Sequence, residues 1–175
     1  MRKGQEIEFL RDFLIQSHSG NLKTSAYAKE FSDLKMKVSF GMGMAARVPW
    51  ISFTAPGMST SNGYYPVYLY YKDSEKLILS FGISETQEYS GNWPYEIQQS
   101  HPRIDTVIAN PARYGNSFVF REYSISLQGE SLEIISNGNI VSAGNLLQDL
   151  LNILDIYKQT LDLEVKNEAS VVSSG

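Results

Sequence analysis

Apolar and polar residues alternate along this chain with two different periods, and the change of period divides it into elements. In residues 5–17 apolar side chains recur every three or four positions, which predicts an amphipathic helix. From Leu34 the period becomes two, and the segments LKMKVSF, VPWISF, YPVYLYY, KLILSFGI and SFVFREYSISL are predicted strands. Residues 143–161 return to helical spacing. A helix, a run of strands and a closing helix predict a single α+β domain with a mainly antiparallel or mixed sheet.

The composition of the 175 residues is that of a folded domain, because 42% of them are hydrophobic and 19% are charged. The chain has no cysteine, which excludes disulfide scaffolds, cysteine metal sites and thiol nucleophiles. No apolar run approaches the roughly 18 to 20 residues of a membrane span. Charged residues also interrupt the apolar run near the N-terminus, whereas the apolar core of a signal peptide is uninterrupted. We therefore expect a cytoplasmic protein.

Charge is distributed unevenly along the chain. The formal net charge is −4, which argues mildly against nucleic-acid binding. Residues 126–175 carry seven acidic side chains against two basic ones, whereas residues 20–50 carry five basic side chains against two acidic ones. A basic N-terminal surface and an acidic closing helix are one interpretation, and an ordinary solvated surface is the other.

The sequence contains no recognisable catalytic set. His18 and His101 lie in polar, turn-like contexts without metal-ligand spacing, and neither a G-x-S-x-G elbow nor a complete phosphate-binding loop is present. Gly41 and Gly43 alone are only a fragment of a nucleotide loop. We expect a protein that is not an enzyme and that uses no cofactor and no metal.

Aromatic residues are concentrated near the predicted loops. In YYPVYLYY a period of two places Tyr65, Val67, Leu69 and Tyr71 on one face of the strand, and tyrosines lie on the other face as well. One alternative is a sheet packed by tyrosines whose hydroxyl groups reach water. The other is a pocket or platform for a planar ligand, for which a nucleobase is the obvious candidate.

Three segments together resemble the N-terminal DNA-binding domains of the McrB family, the specificity subunits of GTP-driven restriction systems that depend on modified cytosine. They are LKMKVSFGMGMAARVPWISF, SNGYYPVYLYYKDSEKLILSFGISET and RYGNSF, and they lie within residues 30–120. The resemblance implies a DNA-binding domain over residues 1–165, followed by a flexible tail or linker over residues 166–175. It further implies double-stranded DNA with a modified cytosine as the partner, and a GTPase motor and a nuclease that act elsewhere in the full system.

Carried over by residue, the resemblance implies that Trp50, Tyr65 and Leu69 line a pocket for a cytosine rotated out of the duplex. It also implies that Tyr114 contacts DNA. Met42, between Gly41 and Gly43, is predicted to fill the gap that the base leaves, although a known member of the family has a tyrosine there. The alternative is that Met42 and Met44 fold back onto the core.

Charge and position suggest four phosphate contacts: Lys35, Lys37, Arg47 and Arg113. Two other functions are compatible with the same aromatic cluster. One is a domain that binds single-stranded nucleic acid or RNA, and the other is a protein-interaction domain with a tyrosine-rich face.

Overall fold

Eight strands form one antiparallel sheet whose spatial order follows the chain from β1 to β8. The computed structural model describes residues 7–58, 60, 63–85 and 92–174, with side chains described through Asp162. The strands are Glu30–Phe31 (β1), Leu34–Ser39 (β2), Trp50–Thr54 (β3), Tyr64–Tyr71 (β4), Lys76–Ile83 (β5), Phe118–Gln128 (β6), Ser131–Ser136 (β7) and Asn139–Ile140 (β8). Within the described residues, the predicted α+β class with a mainly antiparallel sheet is confirmed.

Four helices accompany the sheet in the described part of the chain: Glu8–Gln16 (α1), Tyr95–Ser100 (α2), Ile104–Val107 (α3) and Ala143–Ser174 (α4). The apolar stripe of α1, with Leu10, Phe13 and Leu14, is fully buried. No helix among the described residues is long and apolar enough to cross a membrane. The backbone of α4 remains helical through Ser174, where the sequence predicted a flexible tail, and the division of the chain at residue 165 stays a prediction.

One face of the sheet packs against α1 and α4, and we call it the helix face. Cross-strand partners point to the same side of a sheet, so the row Val38, Ile51, Tyr68 and Leu79 lies on this face. The hydroxyl of Tyr123 donates to Asp149 of α4 over 2.6 Å. This face therefore holds the main apolar core.

The opposite face, which we call the loop face, is defined by the row Ser39, Trp50, Leu69 and Ile78. Over β4 it is covered by residues 104–117, which we call the covering segment. The hydroxyl of Tyr71 donates to the carbonyl of Arg113 over 2.7 Å. On this face Lys35 and Lys37 of β2 are exposed and Trp50 of β3 is partly exposed, whereas Tyr65 and Leu69 of β4 are buried.

The β7–β8 hairpin was missed by the sequence patterns. β7 alternates over only six residues and is half exposed, and β8 has two residues, so neither carries a strong periodic signal. The tight turn between them uses Asn137 and Gly138, both with positive φ (52° and 81°).

Candidate nucleic-acid interface

The three predicted pocket residues lie on the loop face of two adjacent strands. Trp50 of β3 is the cross-strand partner of Leu69 in β4, and Tyr65 is four residues from Leu69 on the same face. Tyr65 and Leu69 have no exposed surface, whereas Trp50 is partly exposed. The structure therefore brings the three together, and solvent reaches the group from the Trp50 side.

Tyr114 of the covering segment lies against Tyr65. The hydroxyl of Tyr65 donates to the carbonyl of Thr60 over 3.1 Å, and it also interacts with the hydroxyl of Tyr114. Burial raises the pKa of Tyr65 and that of Tyr114 above their usual value. Both phenols are therefore neutral at physiological pH.

Glu85 fixes the backbone that carries Tyr114. One carboxylate oxygen accepts the backbone N–H of Tyr114 over 2.7 Å, and the other accepts Nε of Arg113 over 3.0 Å. Tyr114 has a φ of 62°, a left-handed conformation that is uncommon for a side chain of this size. The guanidinium of Arg113 lies 5.1 Å from the Tyr114 ring centroid. Glu85 thus holds Arg113 and Tyr114, the two residues of the covering segment that are predicted to contact DNA.

The glycine loop between β2 and β3 is closed by its own backbone. The N–H of Ala46 donates to the carbonyl of Phe40 over 2.7 Å. Gly41 has a φ of 115°, and a Cβ atom at this position would lie 2.1 Å from the Met44 carbonyl oxygen. A larger residue at position 41 would therefore force the loop open.

Met42 is 96% exposed and Met44 is 78% exposed. The alternative in which both methionines fold back onto the core is therefore wrong. The insertion of Met42 into DNA stays a prediction.

The four predicted phosphate contacts fall into two groups. Lys35 and Lys37 are exposed on the loop face of β2, and Nζ of Lys37 lies 5.9 Å from the Trp50 ring centroid. Within the described residues, neither lysine has a carboxylate within 4.0 Å. Arg47 pairs with Asp73 over 3.0 Å, and Arg113 pairs with Glu85. The lysines are thus available to an anion, whereas each arginine must first leave a carboxylate.

A groove of about 830 Å³ runs along β2 beside these lysines. Lys29, Lys35 and Lys37 line it together with the acidic residues Glu30 and Asp33. The sequence indicated the local excess of positive charge but not the groove. It also gave no signal for Glu85, because its partner Tyr114 lies 29 positions away in the chain.

With this geometry established, the comparisons with known proteins assign the family. A family model described as "MrcB-like, N-terminal domain" matches residues 8–162, and the chain belongs to this family. The domain is the DNA-binding part of McrB, whose GTPase lies in another region, and this chain matches only the N-terminal part.

One relative is the "Type IV methyl-directed restriction enzyme EcoKMcrB subunit" of Escherichia coli (strain K12), which is 36% identical over 99 residues. The match covers 54% of this chain and 22% of the relative. The chain thus resembles about a fifth of a longer protein.

Proposed function

We propose that this chain binds double-stranded DNA that carries a modified cytosine, and that the modified base is rotated out of the duplex and held against Trp50, Tyr65 and Leu69. The observation that carries the proposal is the placement of these residues on one sheet face, next to two lysines without carboxylate partners. The name of the E. coli relative, a methyl-directed restriction enzyme, supports the same substrate.

The pocket has to offset the cost of extruding a base, which is a few kcal/mol. Stacking on aromatic side chains contributes about 1–3 kcal/mol per base. Burial of the 5-methyl group adds about 0.8 kcal/mol, so the methyl group alone gives modest discrimination. Phosphate contacts by Lys35 and Lys37 supply binding that does not depend on the base.

Entry of a base requires local movement, because Tyr65 and Leu69 are fully covered in the free protein. Trp50 is the partly exposed member, so the base enters beside its indole. Met42 lies at the tip of the adjoining loop and fills the space left in the duplex. Arg47, Arg113 and Tyr114 make supporting contacts.

In its wider setting, the chain serves as the specificity module of a McrBC-type restriction system in the cytoplasm. The GTPase motor and the nuclease of that system are its partners. The family match supports this assignment, since the domain is the DNA-binding part of McrB.

The test compares Trp50→Ala with Tyr95→Ala on duplexes that differ only in one cytosine. Trp50→Ala removes the stacking surface, so binding to the 5-methylcytosine duplex should fall about tenfold or more, with little change for unmodified DNA. Tyr95 is 67% exposed on α2, outside the predicted pocket, so Tyr95→Ala should change neither affinity. Fluorescence anisotropy with labelled duplexes measures both.

An equal loss on both duplexes would remove Trp50 from the pocket. A wild-type protein that binds single strands as tightly as the modified duplex would favour the single-strand alternative. No binding to any DNA at low salt would favour a protein-interaction domain.

A further inference from the structure

Ser52 occupies the middle of the proposed pocket floor. It lies in β3, two residues after Trp50 and on the same face. Its cross-strand partner in β4 is Val67, which is flanked on that face by Tyr65 and Leu69. The side chain of Ser52 therefore points to the surface that Trp50, Tyr65 and Leu69 define.

The hydroxyl of Ser52 is buried without a hydrogen-bond partner in the described part of the chain. Such groups are uncommon, because most buried polar side chains are satisfied within the fold. Ser80 provides the comparison. It lies on the same face, across β4 from Ser52 and paired with Val67, and it is equally buried. Its hydroxyl, however, donates to the carbonyl of Phe118 over 2.9 Å.

Two equally buried serines in one cross-strand row thus differ in their hydrogen bonding. The hydroxyl of Ser80 forms a hydrogen bond within the fold, whereas the hydroxyl of Ser52 has a donor and an acceptor without a partner in the described residues. An unused hydroxyl among apolar and aromatic side chains matches a ligand that is planar, apolar on its faces and polar on its edge. A nucleobase has this distribution of polarity.

We propose that the hydroxyl of Ser52 forms a hydrogen bond with the Watson–Crick edge of the flipped cytosine. The aromatic residues stack on the base, and this hydrogen bond makes the contact depend on which base it is. This inference rests on the proposed function. On this edge cytosine presents the exocyclic amine as a donor and N3 and O2 as acceptors, and a serine hydroxyl serves as a partner to either kind. Enzymes that act on flipped bases read the same edge by hydrogen bonds.

The experiment uses Ser52→Ala, which removes only the hydroxyl, with Ser80→Ala as the matched control. Affinities are measured for duplexes with 5-methylcytosine, cytosine or an abasic site at one position. Ser52→Ala should weaken binding to the 5-methylcytosine duplex roughly three- to tenfold, the range of one hydrogen bond, and leave the abasic duplex unchanged. Its Tm without DNA should stay equal to that of the wild type or rise, because no bond within the fold is lost.

Ser80→Ala should show the reverse pattern, with a lower Tm and an unchanged affinity of the folded protein. Three results would overturn the role of Ser52: affinity within about twofold of wild type on the methylated duplex, an equal loss on the abasic duplex, or a fall in Tm like that of Ser80→Ala. A wild-type protein that fails to distinguish the methylated duplex from the others would overturn the proposed function as well.

Discussion

Met42 and Met44 lie two positions apart in the same loop and differ in exposure, at 96% and 78%. Exposed methionines contribute little to the stability of a fold, and two of them in one loop form a small apolar surface that a partner can contact. Apolar side chains inserted between base steps are a known device for deforming DNA. At the scale of single residues, Met42 and Met44 therefore provide a test position and a control position for insertion into DNA.

We predict that Met42→Ala reduces base exposure in the protein–DNA complex severalfold, whereas Met44→Ala does so much less, because only Met42 fills the gap in the duplex. A fluorescent base analogue next to the modified cytosine reports the exposure. Both variants should retain wild-type stability within about 0.5 kcal/mol, as exposed positions usually do. Equal base exposure in wild type and Met42→Ala would count against the wedge.

Sequence and structure agree best for the residues of β4. The period of two in YYPVYLYY correctly placed Tyr65 and Leu69 on one face, and the structure adds Trp50 through the register of β3 with β4. The complete burial of Tyr65 and Leu69 was not predicted. The covering segment that hides Tyr65 comes from residues 104–117, and alternation within a strand carries no information on what lies above it.

At the scale of elements, β2 combines two roles along its length. Its apolar positions Leu34, Met36 and Val38 are buried, while Lys35 and Lys37 alternate with them and remain exposed. The strand therefore anchors the sheet with one face and presents positive charge with the other. Because it adjoins β3, this charge lies beside Trp50.

We predict that Lys35→Ala and Lys37→Ala each make the slope of log K against log salt less negative by roughly 0.9, because each removes one phosphate contact. The loss of affinity should be the same for modified and unmodified duplexes, since phosphates carry no sequence information. Lys76→Ala is the control, because Lys76 points to the same face but pairs with Glu122 over 3.2 Å. A slope unchanged by both β2 variants would remove these lysines from the interface.

The three longest strands, β4, β5 and β6, were all predicted from the sequence. Strands β4 and β5 have eight residues each, and the segments YPVYLYY and KLILSFGI predicted them. The two-residue strands β1 and β8 were missed, because they exist only through pairing with a longer neighbour. The arginine–carboxylate pairs at Asp73 and Glu85 were missed for a similar reason, since their partners lie 26 and 28 positions away.

At the scale of the whole molecule, His18 links pH to stability by joining the end of α1 to β4. Its Nε2 lies 2.6 Å from the hydroxyl of Tyr70. Burial raises the pKa of Tyr70 to about 12, so this hydroxyl keeps its proton at neutral pH and lies within hydrogen-bonding distance of the imidazole. Burial, and then the charge of Lys72, lower the pKa of His18, an effect that Glu75 opposes.

We predict that the free energy of unfolding falls as the pH is lowered from 7 to 5. The pKa of His18 is below its ordinary value of 6.5 in the folded protein, so the unfolded chain binds the proton first. The contribution is complete above pH 6.5 and is lost as the pH falls toward the pKa of the folded state. Urea denaturation at several pH values should give a flatter profile for His18→Gln. An identical profile in both proteins would show that His18 has no part in it.

The sequential order of the sheet also determines when the pocket can form during folding. Each strand pairs with its neighbours in the chain, and every pair except β5 and β6 is joined by at most ten residues, so these hairpins close at little entropic cost. Trp50, Ser52, Tyr65 and Leu69 belong to one such hairpin, and their surface is assembled early. Tyr114 belongs to the covering segment, which is synthesised later. We therefore expect the surface around Trp50 and Tyr65 to be uncovered in a nascent chain until the covering segment packs against it.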